Sequence, residues 1–166
     1  MKIPYAVLVI SALAVAAGCS KKQNAAPETA AAPAAAPANG PVTFELTAND
    51  TMKYNLTRLE VAAGSEVKVT LTNAGALPKA QMAHNWILLK LGTDPVAFTN
   101  AAVTHLADDY FPTNLADEVI ARTKLVGPRQ SDTIEFKAPT APGEYTYVCT
   151  FPGHYVSGMH GVLFVH

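Results

Sequence analysis

The stretch EYTYVCTFPGHYVSGMHGVLFV, residues 144–165, decides how this chain reads. Its two ends are strand-like. Glu144 to Cys149 is rich in Tyr and Val, and Gly161 to Val165 is a short apolar run. Aromatic and β-branched runs of this kind suit a pleated sheet. Between them Pro152, Gly153 and Gly158 favour a fold-back, because glycine reaches backbone angles closed to other residues and proline fixes one of its own. The fold-back gathers a thiol, an imidazole and a thioether in one loop: Cys149, His154 and Met159. Sulfur with imidazole is a soft donor set that selects copper over magnesium, calcium or manganese. A trigonal plane of one thiolate and two imidazoles needs a second histidine. His84 is the best candidate, 65 residues before Cys149 at the start of an expected strand. In Met82-Ala83-His84-Asn85-Trp86 it puts polar groups into an apolar context. No ligand position is left open for a substrate.

Upstream of this hairpin the alternation of a half-buried strand recurs. Thr43 to Thr47 alternates, and Glu66 to Thr72 places Val67, Val69 and Leu71 on one face. Asp132 to Lys137 alternates through Ile134 and Phe136. His84 to Leu91 is a largely apolar run and reads as a strand buried on both faces. Ala63-Gly64, Asn73-Ala74-Gly75 and Ala141-Pro142-Gly143 punctuate these runs as turns. Residues 94–121 are Ala-rich without β alternation, which predicts a short helical insertion and a long loop. Several short strands between turn signals predict an all-β sandwich or barrel. Trp86 is expected in its core, with Tyr145 and Tyr147 as sheet residues. His105, His160 and His166 are expected at the surface, and Asp108-Asp109 in a solvated turn.

The domain so defined runs over residues 42–166, long enough for one core. What precedes it is of a different kind. Lys2, an apolar run from Tyr5 to Ala17 and a small-residue ending fit an export signal over residues 1–18. Ala16-Ala17-Gly18-Cys19 resembles the lipobox of bacterial lipoproteins, with Ala16 where Leu is usual. Cys19 is then a lipidation site, and two or more acyl chains anchor where one does not. The rest of residues 19–41 is an Ala/Pro-rich linker without aromatic residues, too polar and featureless to fold. The 166 residues carry 12 basic and 13 acidic side chains, so no cationic footprint for nucleic acid exists. Two cysteines cannot form a disulfide framework.

The loop C-T-F-P-G-H followed by Met resembles the copper loop of azurins. So do Asn49 to Asn55, Leu77-Pro78-Lys79, His84-Asn85-Trp86 and Arg122 to Gly127. The four residues between His154 and Met159, together with the tether, resemble the auracyanin branch of that family. The resemblance covers nearly all of residues 42–166. It implies a Greek-key cupredoxin fold with one type 1 copper. His84, Cys149 and His154 match the equatorial ligands, and Met159 matches the axial one. The backbone carbonyl of Ala83 stands where azurins have a distant fifth contact. Asn85 matches a residue that ties the two ligand loops together, and Phe151 an aromatic ring packed near the metal. The azurin disulfide has no counterpart.

The function implied is one-electron transfer through Cu(I)/Cu(II), not enzymatic catalysis. An apolar docking patch is expected around His154, with Met82, Leu77, Pro152 and Tyr155. Its partner would be a redox protein such as a cytochrome or a reductase, met by a lipid-anchored monomer facing the periplasm or the cell exterior. The alternative is an envelope copper carrier or storage protein with the same ligands. A copper oxidase or nitrite reductase would need further His-rich motifs, and no His-X-His occurs.

Overall fold

The computed structural model describes residues 40–166. The export signal, the lipidation site Cys19 and nearly all of the linker lie outside the described residues. Among the described residues eight strands form two sheets. The smaller contains β1 (Val42–Ala48), β3 (Glu66–Asn73) and β6 (Ser131–Lys137), in the order β1-β3-β6. The larger contains β2 (Arg58–Val61), β4 (Ile87–Leu89), β5 (Val119–Arg122), β7 (Gly143–Val148) and β8 (His160–Val165), in the order β2-β8-β7-β4-β5. β1 runs parallel to β3 and β2 parallel to β8, because β1, β2 and β3 alternate between the sheets, whereas β4 and β5, and β7 and β8, pair antiparallel within the larger one. This is the sandwich expected from the sequence.

Period-two patterning aligns the inner faces. Leu46 and Ala48 of β1, Val67, Val69 and Leu71 of β3, and Leu163 and Val165 of β8 are all buried. They pack with Trp86, Tyr54 and Tyr147 in one core that also contains Cys149 and Met159. Full burial of an aliphatic side chain of this size stabilises by roughly 1.5–3 kcal/mol. This core is therefore the base on which the sulfur-bearing loop stands.

The larger sheet has a second apolar face. Ile87, Leu89 and Val148 pack there with Phe98 and Phe111 of the insertion. Phe98 comes from helix α1 (Pro95–Ala102), whose N-cap Asp94 accepts hydrogen bonds from the Val96 and Ala97 backbone N–H groups at 2.8 and 3.3 Å. Pro95 at the first helical position has no N–H to leave unpaired. Two short 3-10 segments follow, Leu106–Asp108 and Thr113–Glu118.

Two expectations need correction, and one strand is added to them. The helical insertion ends at Glu118, not at residue 121, because Val119–Arg122 pairs with β4 as an edge strand. The strand expected over His84 to Leu91 shrinks to Ile87–Leu89. His84 makes one bridge to Val126, and the Trp86 N–H donates instead to Thr123 Oγ1 at 2.9 Å. β2 was not anticipated: four residues, two of them charged, carry too little alternation to read. Trp86, Tyr145 and Tyr147 are buried as expected, whereas His160, His166, Asp108 and Asp109 are exposed and His105 is half-buried.

Candidate metal centre

Three short segments build the site. His84 precedes β4, held by its paired backbone bonds to Val126 at 3.1 and 2.8 Å. Cys149 follows directly on β7. His154 and Met159 lie in the loop that returns to β8. That loop is a chain of turns closed on itself. The His154 N–H donates to the Phe151 carbonyl at 3.1 Å, and the Met159 N–H to the His154 carbonyl at 3.0 Å. The Cys149 N–H donates to the Met159 carbonyl at 3.2 Å, which joins the loop's two ends. Gly153 and Gly158 take left-handed φ angles of 82° and 89°, which a side chain would strain.

The result is a converging donor set. One donor atom from each of His84, Cys149 and His154 lies within 4.8 Å of the others. Cys149 Sγ is 3.5 Å from His154 Nδ1, and the two imidazole centroids are 5.0 Å apart. All three side chains are buried, and Met159 is 0% exposed beside them. Both ring nitrogens of His84 are buried without a hydrogen-bond partner. Polar atoms of this kind normally find a partner, so an unpartnered imidazole beside Cys149 and His154 marks a place for something else.

Burial sets the protonation. It pushes the Cys149 thiol up to about 12, against the opposing effect of the Asn85 and Phe151 backbone N–H groups. It pulls His84 down to about 4, and it does the same to His154, with the nearby His84 adding to the shift. Without metal the pocket therefore holds neutral imidazoles and a protonated thiol. A soft cation finds its imidazoles already deprotonated and must displace one proton, from sulfur.

Asn85 braces the site. Its Nδ2 donates to Thr150 Oγ1 at 2.7 Å, and the Thr150 N–H donates to Asn85 Oδ1 at 2.9 Å. The residue after His84 is thus bonded to the residue after Cys149. Thr150 was not singled out from sequence; its position between Cys149 and Phe151 was the available signal. Phe151 lies with its ring centroid 4.7 Å from that of His154. Ala83 is fully buried next to His84.

The residues of the expected docking patch are dispersed in exposure. Leu77 is exposed, Met82 and Pro152 are half-buried, and His154 is 1% exposed. Tyr155 packs against the Ile87, Phe98 and Val148 cluster, with its ring 5.0 Å from His160.

A β-sandwich with buried cysteine, histidine and methionine at one loop end defines a class. Residues 41–166 match the family described as copper binding proteins, plastocyanin/azurin family, and the chain belongs to it. Among its relatives, auracyanin-B of Chloroflexus aurantiacus is 36% identical over 119 residues, which is 71% of this chain and 49% of that protein. The chain thus spans about half the length of that relative. Azurin of Achromobacter denitrificans is 36% identical over 121 residues, covering 71% of this chain and 80% of the relative. A crystal structure of dithionite-reduced auracyanin from Roseiflexus castenholzii superposes with a TM-score of 0.67 at 33% identity, covering 77% of this chain and 99% of the other. The cofactor of this family is copper, and the donor set described above fits it.

Proposed function

We propose that this protein is a membrane-tethered type 1 blue-copper electron carrier. His84, Cys149, His154 and Met159 would hold the ion. The observation that carries the reading is the meeting of one thiol and two unprotonated imidazoles at a buried point. Bound copper supplies a one-electron couple between Cu(II) and Cu(I).

The chain's own residues do the rest. Cys149 gives up its proton when metal enters and leaves a thiolate close to the Asn85 and Phe151 backbone N–H groups. The Asn85–Thr150 pair holds the two arms at one spacing, so little rearrangement is needed between oxidation states. Burial of the donor set supports a site closed to water. The same burial supports a retained ion over one passed to another protein, the carrier alternative. Leu77, Met82 and Pro152 would meet a redox protein over a small apolar area, as suits brief encounters. Cys19 would anchor the chain in the cell envelope through lipid.

The visible spectrum of the copper-loaded protein tests this beside Cys149→Ser. An intense blue band that disappears on reduction and in the variant is expected. A colourless protein with copper bound would overturn the type 1 reading.

A further inference from the structure

The segment Asn49–Tyr54 joins β1 to β2 and carries none of the four ligands, yet it reaches both ligand-bearing arms. On the His84 side, Asp50 Oδ2 accepts a hydrogen bond from the Ala76 N–H at 3.0 Å. The Tyr54 hydroxyl donates to the carbonyl of Asn85, the residue after His84. On the other side, Lys53 Nζ donates to the Ser157 carbonyl, within the turn that leads to Met159.

That last contact stands out for its position. Every other hydrogen bond of the Tyr155–Met159 backbone among the described residues stays within the loop or joins it to Cys149. Lys53 alone reaches the turn from elsewhere in the fold, across 104 residues of chain. Room is made for it: a Cβ at Gly158 would lie 2.5 Å from Lys53 Nζ. Next to Lys53, Met52 holds a left-handed φ of 56°, a conformation that a residue with a side chain adopts only when its surroundings fix it.

We propose that Lys53 is a positioning residue for the metal centre. It holds the four-residue turn between His154 and Met159 against the Asn49–Tyr54 segment, and so fixes where the Met159 sulfur stands relative to the plane of the other three ligands. The inference rests on the copper reading above. The lysine charge has a second effect of known sign: a fixed cation near the ion favours the less positive oxidation state and raises the reduction potential.

The test uses the copper-loaded chain and three variants. Lys53→Met removes donor and charge, Lys53→Arg keeps both, and Lys68→Met removes a lysine charge on β3, away from the loop. Lys53 is exposed, so its replacement leaves the core intact. Lys53→Met is expected to stay blue but with a changed ratio of absorption bands and copper hyperfine splitting. Its potential should fall, and copper should pass to a chelator about fivefold faster, the effect of one lost hydrogen bond. Lys53→Arg should restore all of these and Lys68→Met should leave them unmoved. A blue parent with Lys53→Met indistinguishable from it would overturn the role of Lys53 and leave the copper reading standing. A colourless parent would overturn both.

Discussion

Met159 is the residue whose replacement says most. Its thioether is a soft, weak donor, and an amide oxygen in its place favours Cu(II). Met159→Gln is expected to lower the reduction potential while the blue colour persists, as voltammetry beside the visible spectrum would record. An unchanged potential would remove Met159 from the axial position. The titrating ligands give a second expectation, for the metal-free protein. His84 and His154 have folded-state values near 4 against ordinary values of 6.5. The unfolded chain then binds more protons between these values, and stability falls as pH drops below about 6.5. Cys149 is raised to about 12 from 9.0, so the folded chain keeps a proton that the unfolded chain loses, and stability falls as pH rises above about 9. Melting temperatures of the apoprotein should form a plateau between those limits. The side chains behind both expectations were legible in the sequence, because Cys149, His154 and Met159 share one loop and His84 interrupts an apolar run. Of the braces only Asn85 was, through the resemblance of His84-Asn85-Trp86. Thr150, Lys53 and Asp50 act through contacts made by segments far apart in the chain, and nothing in their neighbours announces the partner.

At the scale of elements, β7 and β8 illustrate how close packing fixes a residue. Tyr147 pairs with Gly161 across the two strands, and its hydroxyl reaches over to the Leu56 carbonyl at 2.7 Å. A Cβ at Gly161 would overlap the Tyr147 phenol and the Thr57 carbonyl. Gly161→Ala is expected to destabilise the fold by about 1–3 kcal/mol, the usual effect of overpacking, with a lower denaturation midpoint as the readout. Tyr147→Phe would relieve only part of this, since the Thr57 carbonyl remains. The long alternating strands β1, β3 and β6 were visible in the sequence because each presents one inner face over seven or eight residues. β2 and β5 are four residues each and owe their existence to a neighbour's open edge. Pattern alone does not reveal an element whose reason for being extended lies in another strand. The late start of β4 follows the same logic: His84 bonds to Val126 and Trp86 to Thr123, outside the ladders that begin at Ile87.

Over the whole molecule, sequence and fold agree most where one core must be filled and least where a surface segment closes it. The sandwich, the insertion and the sulfur-bearing end were all expected; the edge of the insertion and the two short strands were supplied by tertiary pairing. The proposed tether belongs to this scale as well. Cys19→Ser is expected to move the protein from the membrane fraction to the soluble one with its visible spectrum unchanged, which separates anchoring from metal binding.

The core beneath the site has an electrical consequence. Tyr54 and Tyr147 stand 5.6 Å apart and Tyr147 stands 5.5 Å from Trp86, a row of rings that could conduct charge through the sandwich. Both hydroxyls, however, donate to backbone carbonyls, those of Asn85 and Leu56. A phenol parts with an electron readily only if its proton has a base to go to, and an amide oxygen is no base. Both phenols are buried with their protons held by carbonyl oxygens, so under the proposed function the two tyrosines would insulate the site from the core side, and charge would enter and leave at the loop end.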